Sequence, residues 1–174
     1  MMDINFKRLI TPDEEIASTL QRWSNDPSIT HLIRPNQNQK NLDEFVSISV
    51  DSLEKQLSEF FIYLIYLDKQ LVGEMNFQVD PKHLYKKESG TAWIGLVIGE
   101  KSARGKGIGS QAIKFMEKKI KKQKLSRIEL GVFEFNHRAI NLYQKLGYCE
   151  IGRIDDFTYW QKKMWQDIRM EKYL

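Results

Sequence analysis

The chain has little with which to build disulfide, membrane or metal architecture. It has one cysteine, Cys149, in 174 residues, so no intramolecular disulfide can form. A reducing, cytoplasmic setting is therefore expected. No run of about 18 apolar residues occurs, which excludes a membrane-spanning helix. Met1 to Ile10 lacks the basic-then-apolar order of a secretory leader. His31, His83 and His137 are scattered without metal-ligand spacing, so no metal site is expected. Repeats, low-complexity segments and linkers are also missing, and the length suits one domain spanning 1–174. Charge of one sign is scarce too: 27 Lys and Arg against 23 Asp and Glu leave a net +4. Much of that excess lies between Lys114 and Lys124, on the polar face of a predicted helix. Solvation accounts for it better than nucleic acid does, and a salt titration with duplex DNA separates the two. A slight positive excess still helps attract a polyanionic ligand.

What is present is a mixed order of elements. Ile4 to Ile10 reads as a short strand. Thr11 as N-cap, Pro12 and Glu14 predict a helix carrying Ile16, Leu20 and Trp23, ended by Asn25-Asp26-Pro27. The polar stretch Ser28 to Lys40 reads as a loop, and Asn41 with Glu44 predicts one helix through Leu57. Phe60 to Leu67 and Leu71 to Val79 form a predicted hairpin, followed by a charged loop, Pro81 to Ser89. Thr91 to Ile98 is a strand, Ser110 to Ile120 a helix, Arg127 to Phe133 a strand, and Asn136 to Leu146 a helix stopped by Gly147. Cys149 to Ile154 and Gln166 to Leu174 read as closing strands, with Cys149 in the strand core. The order implies an α/β fold: a mixed, mostly antiparallel central sheet with helices on both sides.

Between the strand ending at Ile98 and the following helix lies Arg104-Gly105-Lys106-Gly107-Ile108-Gly109. Three glycines allow positive φ and close approach of a ligand. Their N–H groups and the helix N-terminus make an anion site, and Arg104 and Lys106 add mobile charge. A phosphate or pyrophosphate is the expected ligand. A Walker loop fails here, because Gly99 is one residue too far from Gly105-Lys106 and Gly107 offers no hydroxyl for magnesium. A dinucleotide fingerprint is weak, because its third glycine is replaced by Ser110. What remains is Arg-x-x-Gly-x-Gly. One helix and one strand later comes Asn136-His137-Arg138-Ala139-Ile140-Asn141-Leu142-Tyr143, then Gln144 to Tyr148.

Together, in this order, the two blocks resemble the GCN5-related N-acetyltransferases. The likeness runs from about Leu71 to the Trp165–Met170 ending, and its style is nearest the spermidine and ribosomal-protein N-terminal acetyltransferase branches. The resemblance implies acetyl-CoA as co-substrate, held by Arg104, Gly105, Lys106, Gly107, Ile108, Gly109 and Ser110, with further contacts from Asn136, Arg138 and Ala139. It also implies that strand amides at Leu96, Val97 or Ile98 stabilise the thioester oxyanion. Tyr143 matches the residue that protonates the departing thiolate. The glutamate that some members carry early on the strand before the loop is missing, since that region reads Thr91-Ala92-Trp93. Glu74, Glu100, Glu134 or a water relay remain as candidates for deprotonating the amine.

The implied reaction is direct transfer to a primary amine: a polyamine, another small amine or a protein N-terminus. No cysteine stands where an acyl carrier would be expected. A non-catalytic CoA or nucleotide sensor of the same fold is the alternative, against which Tyr143 argues. The acceptor site is expected between Trp23–Lys40 and Asp155–Trp165. The latter segment mixes carboxylates with aromatic rings and equally suits a cationic amine, an exposed hairpin or a homodimer contact.

Overall fold

The computed structural model describes residues 2–174. One seven-stranded sheet runs in the order β1-β2-β3-β4-β5-β7-β6. Its strands are β1 (Ile4–Arg8), β2 (Phe60–Leu67), β3 (Gln70–Val79), β4 (Thr91–Ile98), β5 (Arg127–Phe133), β6 (Cys149–Trp160) and β7 (Lys163–Tyr173). Every neighbouring pair is antiparallel except β4 and β5. Strand β2 is an unbroken apolar run because both of its faces are covered. Ile65 and Tyr63 face the core shared with the long helix α5 (Ile108–Lys122), while Ile62 and Leu64 face the opposite side. There α1 (Glu14–Ser24) and α4 (Val50–Gln56) lay Leu20, Trp23 and Leu53 over the sheet. Helix α6 (His137–Lys145) contributes Tyr143, Ala139 and Ile140 to the α5 side.

The N-terminal third departs from the sequence reading. Asp13, not Thr11, caps α1, its carboxylate accepting from the Ile16 N–H at 2.8 Å. A carboxylate is the stronger acceptor, and Glu14 and Glu15 follow it at the positive helix end. The segment read as a loop contains a short helix α2 (Thr30–Ile33). The single helix predicted over 41–57 is two: α3 (Gln39–Asp43), capped by Asn38, and α4, opened by a Ser49–Ser52 capping box. The break has a cause outside the segment. Asn25 on the exit of α1 bonds both the N–H and the carbonyl of Val46, and Gln21 Oε1 accepts from the Ile48 N–H. Side chains of α1 thus supply the partners that a helix would have supplied, and Phe45 stands exposed.

Two further readings change. The closing strands are longer than predicted and meet in a tight turn at Gln161-Lys162, both with positive φ. Cys149 is exposed and not in the strand core.

Trp23 fixes how closely α1 approaches the end of β4. A Cβ built on Gly99 would lie 2.0 Å from Trp23 Cδ2. Gly99→Ala is therefore expected to cost about 1–3 kcal/mol by overpacking, read as a melting temperature lowered by several degrees. An unchanged melting temperature would show that the indole moves aside freely.

Candidate functional site

The site begins where β4 and β5 part. They pair over only three positions, Thr91 with Arg127, Ala92 with Ile128 and Trp93 with Glu129. Beyond Trp93, β4 keeps its ladder with β3 as far as Ile98 but has no strand on the β5 side. Into this wedge opens a cavity of about 330 Å³. Leu96, Val97 and Ile98 line it from β4, and Arg104, Gly105, Gly107, Ile108, Gly109 and Ser110 line it from the loop and the start of α5. Asn136, Arg138, Ala139 and Tyr143 line it from α6 and its cap. Of the residues expected to hold acetyl-CoA or to act on its thioester, only Lys106 is not on the wall; it is exposed.

The loop has the form that an anion needs. Gly105 and Gly107 take φ of +81° and +75°, and Gly107 is the N-cap of α5 with no side chain bonding the first turn. The N–H groups that open a 15-residue helix are thereby left for a ligand. Arg138 Nη2 lies 3.6 Å from where a Gly105 Cβ would be, so its guanidinium overhangs the loop. Arg104 is not mobile. Its Nε donates to the Ile98 carbonyl at 3.1 Å and its Nη2 to the Gly99 carbonyl at 2.7 Å, with Asp26 at 3.8 Å. It ties the loop to the end of β4.

On α6, Asn136 caps the helix by accepting from the Ala139 N–H. Tyr143 is buried against Tyr148, ring centroids 5.7 Å apart and edge to face. Burial alone pushes its phenol up to about 12, with no bond or charge opposing it. Ile29, Leu32, Ile33 and Leu142 also line the cavity and were not singled out. Leu142 could have been found by its i+3 spacing from Ala139. The α2 residues carried no local signal, because their segment read as a loop.

The three candidate carboxylates have different surroundings. Glu100 pairs with Arg22 and accepts from Trp23 Nε1 at 2.9 Å, and the Arg22 bond holds it below the usual range. Glu134 is half-exposed, 3.8 Å from Arg153. Glu74 faces a second cavity of about 180 Å³ under α1 and α4. Asn76 Nδ2 donates to it at 2.8 Å, and burial pushes its carboxyl above the ordinary range. The 155–165 segment lies in the β6–β7 hairpin. Trp160 there stacks on His31, centroids 4.4 Å apart, beside a third cavity that Asp43, Glu44 and Phe45 also line.

The chain is 30% identical over 92 residues to a probable spermine N(1)-acetyltransferase of Bacillus subtilis subsp. natto, a match spanning 52% of this chain and 60% of that relative's length. The ribosomal-protein-alanine N-acetyltransferase of Brucella melitensis superposes with a TM-score of 0.76 at 17% identity, over 98% of this chain and 99% of that one. The spermidine N-acetyltransferase of Vibrio cholerae, solved with CoA and spermine, gives 0.74 at 17%, over 98% and 95%. At such identities these two establish the fold alone. Residues 19–148 match the profile described as the Acetyltransferase (GNAT) family, and on that match, which spans most of its length, the chain belongs to this family.

Proposed function

We propose that the protein transfers the acetyl group of acetyl-CoA directly to a primary amine. The observation that carries this reading is the single cavity in which an unpaired β4 edge, an uncapped α5 N-terminus and a buried tyrosine converge. The pyrophosphate lies against the Gly105–Ser110 amides, with Arg138 above and Arg104 holding the loop in place. A β4 backbone N–H at Leu96, Val97 or Ile98 meets the thioester oxygen, and such a donor contributes roughly 10²–10³-fold.

Tyr143 donates the proton that the sulfur takes as the C–S bond breaks. A phenol near 12 is a weak acid for an ordinary thiolate, whose thiol has a pKa of about 8.5. The thiolate is born in the same apolar enclosure, however. Desolvation raises its proton affinity as it raises that of the phenol, which narrows the gap. The names of similar proteins support an amine acceptor, either a polyamine or a protein N-terminus.

Two variants test this. Gly107 has open space around it and a φ that Asp tolerates better than most side chains. Gly107→Asp should leave the protein folded yet abolish the rise in melting temperature that acetyl-CoA gives the wild type, because a carboxylate then occupies the place of the phosphate. Normal acetyl-CoA binding by a folded Gly107→Asp protein would refute the loop assignment. Tyr143→Phe keeps the ring against Tyr148 and removes only the hydroxyl. With an acceptor found by screening polyamines, monoamines and N-terminal peptides, kcat should fall by about 10²-fold or more, with acetyl-CoA affinity retained. An unchanged chemical rate would reduce Tyr143 to a packing role.

A further inference from the structure

The cofactor cavity and the Glu74 cavity share a wall, for Val97 and Ile33 line both. Glu74 is the cross-strand partner of Val97, so their side chains leave the same face of the sheet. That face is otherwise packed with Leu20, Leu53 and Ile62. A half-buried carboxyl there has no cation to balance its charged form, and the core gains nothing from it. Only uncharged groups face Glu74: Asn76 on its own strand, Val97 on β4, Ile62 on β2, Ser24 and Trp23 on α1, and Gln56 on α4. It is the one titratable group on that wall among the described residues.

The geometry points to this second cavity as the seat of the acceptor amine, with Glu74 as the general base that takes its proton. This rests on the acetyl-transfer reading above and narrows its acceptor to a monoamine, against the polyamine that a similar protein's name suggests. The acceptor class follows from the lining. A cavity of about 180 Å³ with one carboxyl, the neutral polar side chains of Ser24 and Gln56, and otherwise apolar walls takes a primary ammonium on a short uncharged chain. A second ammonium inside it would be buried unpaired.

The ammonium enters and passes one proton to the Glu74 carboxylate, and Asn76 keeps the carboxyl oriented. The freed nitrogen pair attacks the thioester carbon at the edge of Val97, where the two cavities adjoin, forming the C–N bond, and the C–S electrons leave on sulfur. Tyr143 protonates that sulfur, and the second proton of the nitrogen returns through water to the phenolate. Glu74 releases its proton to solvent. The products are the amide, free CoA thiol and one proton.

The test measures thiol release from acetyl-CoA with hexylamine and with 1,6-diaminohexane. Wild type should favour hexylamine at least tenfold in kcat/KM. Its rate should rise with pH through an ionisation above the ordinary carboxylate range, since only the ionised base works. Glu74→Gln keeps the bond to Asn76 and should lose about 10²-fold in kcat, together with that pH limb, while acetyl-CoA still raises its melting temperature. Ile48→Phe narrows the half-buried side of the cavity and should raise KM for hexylamine without changing acetyl-CoA affinity. A normal rate and pH profile in Glu74→Gln would remove Glu74 as base, and equal or better turnover of the diamine would overturn the acceptor class. Turnover of another amine with none of hexylamine would place the acceptor elsewhere and spare the acetyl-transfer reading. Loss of acetyl-CoA binding in the wild type would overturn that reading itself.

Discussion

The structure depends on the parting of two parallel strands. A parallel pair is usually sealed along its length, yet here β4 and β5 hold together for three residue pairs and then diverge. Each side of the open wedge is braced. On the β4 side, Arg104 binds the carbonyls of Ile98 and Gly99, and Trp23 presses on Gly99 while its Nε1 holds Glu100. On the β5 side, α6 fills the gap with Ala139, Leu142 and Tyr143. The edge of β4 is left to solvent or ligand, and its free backbone groups open onto the cavity.

The closed end of the wedge is locked by charge. Arg127 donates to Thr91 Oγ1 at 3.0 Å and to Glu171 at 2.7 Å, and pairs with Glu129 at 2.5 Å. Next along the same face, Arg169 pairs with Asp167 and stacks on Trp93. The loop over 81–89 covers them, with Tyr85 N–H donating to Glu129 and Lys86 pairing with Glu171. Three cations, Lys86, Arg127 and Arg169, meet four carboxylates, Glu88, Glu129, Asp167 and Glu171. Such a network is no better than a good apolar core for stability, but losing one of its buried members, Arg127, Glu129, Asp167 or Arg169, strands a buried partner at a cost of about 3–5 kcal/mol. It is directional in a way that an apolar core is not, and it sits on the residues where pairing stops.

Local signals made most of the site legible in the sequence. The glycines before α5, the Asn136 cap and the Tyr143 spacing are each set within a dozen residues, and the fold brings them to one wall. What stayed hidden was set across the chain. The break between α3 and α4 is imposed by Asn25 and Gln21, some 20 to 30 residues away in sequence. The length of β6 follows from Asn36, whose backbone N–H donates to Thr158 Oγ1 and whose carbonyl accepts from the Tyr159 N–H, across a bulged register with low-propensity Asp155-Asp156. Glu74, Glu100 and Glu134 looked alike because burial and partners, not spacing, separate them.

Burial acts on Glu74 and Tyr143 in the same sense and to opposite ends. Removing water disfavours the charged form of each, so both proton affinities rise. For a carboxylate, that means a stronger hold on a proton than an exposed carboxylate has. For a phenol, it means staying protonated through neutral and mildly alkaline pH, ready only for a partner as poorly solvated as itself. In the proposed reaction one property, desolvation on either side of Val97, would suit Glu74 to act as base and Tyr143 as acid. An ion pair between either group and a cation would undo this, and Glu100, held low by Arg22, shows the outcome on the same strand's exit.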